Sequence, residues 1–208
     1  MVPSSIRATS TPWTCATHRW RHVLRPLPEK FEELEDLLLH HRATLAQNTG
    51  VPFVRLVYRP DEEIECRRRR ELLERTLKRE GLAVETVSCR GATFVHYERR
   101  GRLDQLFELE RTEGGRLKAS IVKHARQELV ARLLAATKRL NGDGVIFLVD
   151  VAFVYPYLHL APILDDCVNQ ITPPMALALF YPGEVDVDGR LLFLGVRPSG
   201  YYRTRDLI

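Results

Sequence analysis

The sequence has no apolar run of about 18 residues free of charge, the length a membrane-spanning helix needs, so a membrane protein is not expected. Cysteine is scarce: Cys15, Cys66, Cys89 and Cys167 are widely separated, with no CxxC pair and no histidine at zinc-site spacing. That pattern argues against both a metal knuckle and a disulfide framework, and unpaired thiols fit a reducing, cytoplasmic location. The phosphate-binding motifs GxxxxGK[ST] and strand-linked GxGxxG are missing, and Gly114-Gly115-Arg116 lacks the lysine and hydroxyl that cradle phosphate and magnesium. No GxSxG elbow or HExxH pair occurs, and the adjacent His40 and His41 face different sides of a helix. No cofactor is therefore expected.

Acidic residues are absent from positions 1–28, which carry Arg7, Arg19, Arg21 and Arg25. The whole chain has 31 basic and 27 acidic residues, so positions 29–208 are formally neutral and the high isoelectric point belongs to the tail. Direct nucleic-acid contact through an overall positive field is thus expected only from that tail. Its Ser/Thr/Arg-rich composition superficially matches a transit peptide, but it lacks the apolar core of a secretory signal. The reading favours a flexible extension, an over-long start, or an arm that orders against a partner through Trp13 and Trp20. The organisation expected is a basic, flexible extension at 1–28 followed by one domain at 29–208.

Within that domain, Phe31, Leu34, Leu38 and Leu45 lie near helical spacing, with acids leading and basic residues trailing. VPFVRLVY at 51–58 reads as the first strand, a helix follows from Asp61 to about Glu80 with Ile64, Leu72, Leu73 and Leu77 on or near one face, and LAVETVSC at 82–89 reads as a second strand. The Arg67–Arg70 run wraps a full turn among glutamates and reads as a solvated, salt-bridge-laced surface. Phe94–Tyr97 is ambiguous between strand and helix, Leu103–Leu109 has helical spacing, and Leu117–Leu140 is a long amphipathic helix ended by Asn141-Gly142. GVIFLVDVAFVYP at 144–156 reads as a strand buried on both faces, followed by a helix at 162–171. A strand at 175–185 and a hairpin partner at 191–196 come next, and GYYRTRDLI closes the chain. The fold class predicted is α/β: a single three-layer domain with a mainly parallel central sheet, Rossmann-like without a nucleotide motif, plus a C-terminal hairpin.

Ligands of open α/β sheets bind beyond the carboxyl ends of the strands. Asp150, Glu184 and Asp186 are expected there, with Asp165 and Asp166 on the next helix, and such carboxylates could serve a metal-dependent hydrolase or nuclease. Against that, Asp186 and Asp188 also suit a turn and Asp150 could satisfy backbone donors, which is the reading preferred for loose acids without fixed spacing. The tyrosine and proline clusters are more distinctive: Val154-Tyr155-Pro156-Tyr157-Leu158, Phe180-Tyr181-Pro182-Gly183-Glu184 and Gly200-Tyr201-Tyr202-Arg203. All three are predicted on one rim of the sheet, where rings with polar tips make a rigid surface suited to a protein interface.

These same residues carry a family resemblance. The order V-Y-P-Y-L, I-L-D-D, F-Y-P-G-E, L-F-L-G and terminal Y-Y-R, preceded by P-F-V-R-L-V-Y-R-P-D-E-E-I-E, resembles the BrxB family, the small component of BREX bacteriophage-exclusion systems. The resemblance spans about 31–208 and is densest from Val145 onward. It departs from the family pattern at Val149-Asp150, where relatives tend to have Thr-Gly, at His159-Leu160-Ala161 and at Pro198-Ser199-Gly200. It implies a cytoplasmic, non-enzymatic adaptor working beside PglZ, an alkaline-phosphatase-superfamily protein, an adenine methyltransferase and a large AAA-type ATPase, with PglZ as the nearest contact. The interaction residues expected are Trp13, Trp20, Tyr155, Pro156, Tyr157, Tyr181, Pro182, Glu184, Tyr201, Tyr202 and Arg203.

Overall fold

The computed structural model describes residues 24–200 and 202–208, without the side chains of Phe107 and of residues 110–116. Trp13, Trp20, Tyr201 and most of the basic tail lie outside the described residues. The first helix, α1 (Leu27–His40), begins two residues before the domain boundary expected at Glu29. A short 3-10 turn and α2 (Ala46–Thr49) lead to strand β1 (Phe53–Tyr58). Helix α3 (Glu63–Arg79) has Glu63 and Glu65 in its first turn and Lys78 and Arg79 in its last, charges that suit its macrodipole. Strand β2 (Val84–Ser88), the single-turn α4 (Val95–Glu98) and the long α5 (Leu103–Leu140) follow.

The helix segments expected at 103–109 and from 117 are therefore one helix of 38 residues that runs through Gly114-Gly115. Glycine costs about 1 kcal/mol per position in a helix interior, too little to stop a helix with long stretches of good formers on both sides. Strand β3 (Val145–Val149) is shorter than the expected 144–156. Asp150 turns left-handed at φ 57° and the chain enters a 3-10 turn at Val151–Val154, so the apolar run continues as packed irregular structure. Helix α6 (Ala161–Cys167) ends four residues before Ile171. The ten-residue strand β4 (Ala176–Val185) leads into β5 (Leu191–Phe193), β6 (Arg197–Pro198) and β7 (Arg205–Leu207).

The sheet has the order β2-β3-β4-β1-β7, and all four of these pairings are parallel. Strand β1, read from the sequence as the first strand, lies inside the sheet between β4 and β7. The β1-α3-β2 unit consequently crosses over two intervening strands. Strand β4 serves two partners in succession. Its residues 176–182 pair with β1 and β3, and Gly183, Glu184 and Val185 then pair antiparallel with β5 to form the hairpin.

Alternate residues of the central strands feed two cores, as strand periodicity requires. Phe53, Val57, Ile146, Leu148, Leu177 and Leu179 pack with α5 and α6 on one face. Val54, Leu56, Val145, Phe147, Ala176 and Ala178 pack with α1 and α3 on the other. The result is the three-layer α/β architecture that the pattern of elements predicts.

Candidate functional site

At the carboxyl ends of β1, β2 and β3 stand Tyr58, Ser88 and Asp150. The left-handed backbone of Asp150, at φ 57°, is a conformation glycine adopts most readily. Here the aspartate adds a carboxylate that is fully engaged. Ser88 Oγ donates to Asp150 Oδ2 at 2.6 Å, and the Arg67 guanidinium lies 3.7 Å from Oδ1. Arg67 also reaches Glu63 at 3.2 Å, and the Tyr58 hydroxyl donates to the same carboxylate.

The other acids of the metal reading lie elsewhere. Asp186 Oδ1 accepts backbone N–H groups from Asp188 and Arg190 at 2.9 and 2.8 Å, which makes it the organiser of the hairpin turn. Glu184 is exposed on β4, its carboxyl next to Gly195. Asp166 forms a two-bond pair with Arg126 at 2.7 Å. Among the described residues no three His, Cys, Asp or Glu side chains are grouped so as to hold a metal ion, so Asp150, Glu184 and Asp186 do not form the centre that the alternative, metal-dependent reading requires.

The described cysteines are buried free thiols. Burial, with Asp150 close by, pushes Cys89 up to about 12, and burial pushes Cys167 up to about 11. Burial and the nearby Glu63 carboxylate raise Cys66 as well. All three thus stay protonated at neutral pH, whereas a nucleophilic cysteine needs a thiolate.

The tyrosine clusters converge only in part. Tyr155 packs on Phe193 with ring centres 6.1 Å apart, Phe193 on Tyr181 at 5.0 Å, and Tyr181 edge-on to Tyr202 at 5.9 Å. Tyr157 turns away to meet Phe94 edge-on at 6.0 Å. Tyr181 is 2% exposed and Pro182 is buried, because the C-terminal segment folds over them. They support the rim from beneath and do not form its surface. Tyr155 (39% exposed), Pro156, Glu184 and Arg203 remain accessible, as does Phe153 at 51%, a residue the sequence reading did not single out. Arg90 caps the Phe153 ring with its guanidinium carbon 4.7 Å from the centre.

Beneath this surface sits a buried charge that sequence reasoning also missed. Arg55, in the middle of β1, has only 6% of its side chain exposed. Both arms of its guanidinium meet the Asp206 carboxylate of β7, with Nε 2.9 Å from Oδ1, and Nη1 donates to Ser199 Oγ at 2.9 Å. Tyr181 Oη donates to the same Ser199 oxygen at 3.0 Å. The guanidinium also lies against two aromatic rings, 5.1 Å from the centre of Tyr181 and 4.7 Å from that of Tyr202. Burial raises the pKa of both tyrosines, which therefore stay neutral. A single signal was available in the sequence: an arginine inside an apolar strand at a position that points into a core. An open cavity of about 790 Å³ adjoins this cluster, lined by Asn48, Thr49, Arg190, Tyr202 and Arg203 as well as Arg55.

Comparison with known proteins bears on the same region. The family model described as BREX protein BrxB matches residues 93–207, more than half of the chain, including Asp206, Ser199, Tyr181 and Tyr202. A BREX protein BrxB from Bacillus cereus (strain H3081.97) is 22% identical over 194 residues, covering 90% of this chain and 98% of that protein. No solved structure matches the chain. The matched range takes in α5, β3, α6 and the β4 hairpin, and the chain belongs to the BrxB family of BREX proteins.

Proposed function

We propose that the chain is a non-enzymatic adaptor in a BREX-type anti-phage defence assembly, docking a PglZ-like partner of the alkaline-phosphatase superfamily. The observation that carries this reading is the exposure of three large apolar side chains, Phe153, Tyr155 and Val196, at 51%, 39% and 67%. Tyr155 rests on Phe193, and the Val196 N–H donates to the Phe193 carbonyl at 3.1 Å, so both are held by the cluster that Arg55 anchors. Rigid rings over a fixed support lose little side-chain entropy on binding, which is what an interface centre requires. The engagement of Asp150, Asp186 and the buried thiols in structural contacts supports a binding role over a catalytic one. Direct nucleic-acid contact belongs, in this reading, to residues 1–28.

Co-expression with the PglZ-like protein of the same genome, followed by affinity capture, tests the proposal. Capture is expected with the natural chain, and Phe153→Ala with Tyr155→Ala is expected to weaken it by about a hundredfold, the scale of an interface centre. Absence of a complex with the natural chain, or indifference to both substitutions, overturns the reading. A chain lacking 1–23 is expected to lose salt-sensitive DNA binding and, with Trp13 and Trp20 gone, to hold the partner less tightly.

A further inference from the structure

On the opposite face from the α5 and α6 layer, α1 and α3 pack side by side, each with an outward surface that nothing in the described structure covers. At 100° per residue, Ile64, Arg68, Leu72, Arg75 and Arg79 fall within one narrow stripe along α3. Ile64 is 71% exposed and Leu72 58%, the two most exposed large apolar residues of any helix among the described residues. Arg68 and Arg75 make no ion pair among the described residues, and Arg79 only a long contact of 3.9 Å to Glu80. Their neighbours on the helix behave differently: Arg67 is turned to Glu63 and Asp150, Arg69 to Glu65 and Lys78 to Glu74. Glu71 and Glu65 lie at the two margins of the stripe, and Glu65 is held by Arg69.

Helix α1 presents the opposite sign. Glu29, Glu32 and Asp36 share its outward stripe with His40, and Glu33 beside them is held by Arg25 and Arg205, while Leu27, Phe31, Leu34 and Leu38 face inward. Glu29, Glu32 and Glu35 have no ion pair among the described residues, and Asp36 has only His41 at 3.5 Å. An acidic ridge therefore lies beside a basic ridge on one surface, and the basic one carries exposed aliphatic side chains.

We propose that this surface docks a second copy of the chain. A two-fold axis running along the groove between α1 and α3 sets α1 of each copy over α3 of the other. The acids then meet the arginines twice, and Ile64 and Leu72 leave water on both sides. Such a surface is self-complementary, as a two-fold interface must be. From the 14 residues of α1 and two helix widths, the footprint is about 400 Å² per copy. That is roughly half of what stable complexes bury, so the dimer is weak and concentration-dependent. The proposal is independent of the adaptor reading, because the rim around Tyr155 lies on other elements.

Sedimentation of the full chain at low ionic strength, over a range of concentrations, tests it. The expected result is a monomer–dimer equilibrium that shifts to monomer at about 1 M salt, where the screening length falls to about 3 Å. Arg68→Glu with Arg75→Glu gives a monomer, and so does Glu32→Lys with Asp36→Lys. Mixing the two variants restores a dimer containing one copy of each, since both contacts are again of opposite charge. Leu72→Asp, which leaves every arginine in place, raises the dissociation constant by more than about tenfold. All substituted positions are on exposed stripes, and circular dichroism confirms that each variant folds. A monomer at every concentration, a dimer indifferent to the charge reversals, or a mixture that stays monomeric overturns the proposal. So does binding of duplex DNA by a monomeric chain that the two arginine reversals abolish.

Discussion

Arg55 is a charge placed where a strand of this sheet should carry an apolar residue, and its surroundings account for that. Asp206 supplies the countercharge, Ser199 takes a further N–H, and two tyrosine rings lie against the guanidinium. Removing one member of a buried pair strands the other, a cost of about 3–5 kcal/mol when both are fully buried. Asp206 keeps 29% of its side chain in solvent, so Asp206→Ala is expected to cost about 3 kcal/mol in urea unfolding. Replacing both residues, Arg55→Met with Asp206→Leu, is expected to recover more than half of that loss. Additive losses would mean that the two side chains act separately.

Lys30 is the second buried charge at this scale. Its side chain is 0% exposed and Nζ donates to the Val57 carbonyl at 2.6 Å. Burial pushes its pKa below the ordinary value, an effect that Glu62 opposes and Arg25 reinforces. The unfolded chain therefore binds more protons between the lowered value and about 10.4, so Lys30 contributes a stability that rises with pH across that window. Urea midpoints of the natural chain and of Lys30→Met, compared from about pH 8 to about pH 10.4, are expected to diverge in that direction. A constant difference would show that Lys30 titrates alike in both states.

At the scale of elements, the turn from α5 into β3 shows what a single glycine can decide. Gly144 has φ 132°, and a Cβ added there would lie 2.6 Å from the Ala83 carbonyl and 2.8 Å from Leu140. Gly142, two residues earlier, has φ 92° with open space around it. Gly142→Ala is therefore expected to cost about 1 kcal/mol of backbone strain, and Gly144→Ala about 3 kcal/mol or more, because the β2-β3 pairing must shift. Equal losses in thermal unfolding would contradict the close approach.

Elements also divide what was legible in the sequence from what was not. The apolar runs of β1, β3 and β4 and the periodic faces of α1 and α5 were readable because burial imposes period or continuity on residue choice. The face expected for α3 was only half right: Leu73 and Leu77 are buried, but Ile64 and Leu72 are 71% and 58% exposed. Strand β7 was not. Its three residues, Arg205, Asp206 and Leu207, carry one buried apolar side chain, and the strand exists because β1 offers an open edge and Arg55 an unpaired charge. The end of β3 was equally hidden, since Val151 and Val154 are as buried as the strand residues before them. The candidate site was legible at Tyr155 and Tyr202, whose aromatic and proline context is distinctive. It was not legible at Phe153, Ser199 or Arg55, whose roles depend on contacts between segments far apart in the chain.

At the scale of the whole molecule, two surfaces are distinguished by the chemistry they leave unsatisfied. One end of the sheet shows aromatic and aliphatic side chains over a fixed support, and one helical face shows paired ridges of opposite charge. The described residues contain no helix long and apolar enough to cross a membrane. Family membership assigns the chain to BREX proteins, and the adaptor reading assigns the aromatic end to a partner. Hydrogen exchange on the purified chain, with and without its PglZ-like neighbour, measures that assignment directly. Slowed exchange at 151–158 and 192–198 is the result predicted; unchanged exchange at both segments contradicts the account.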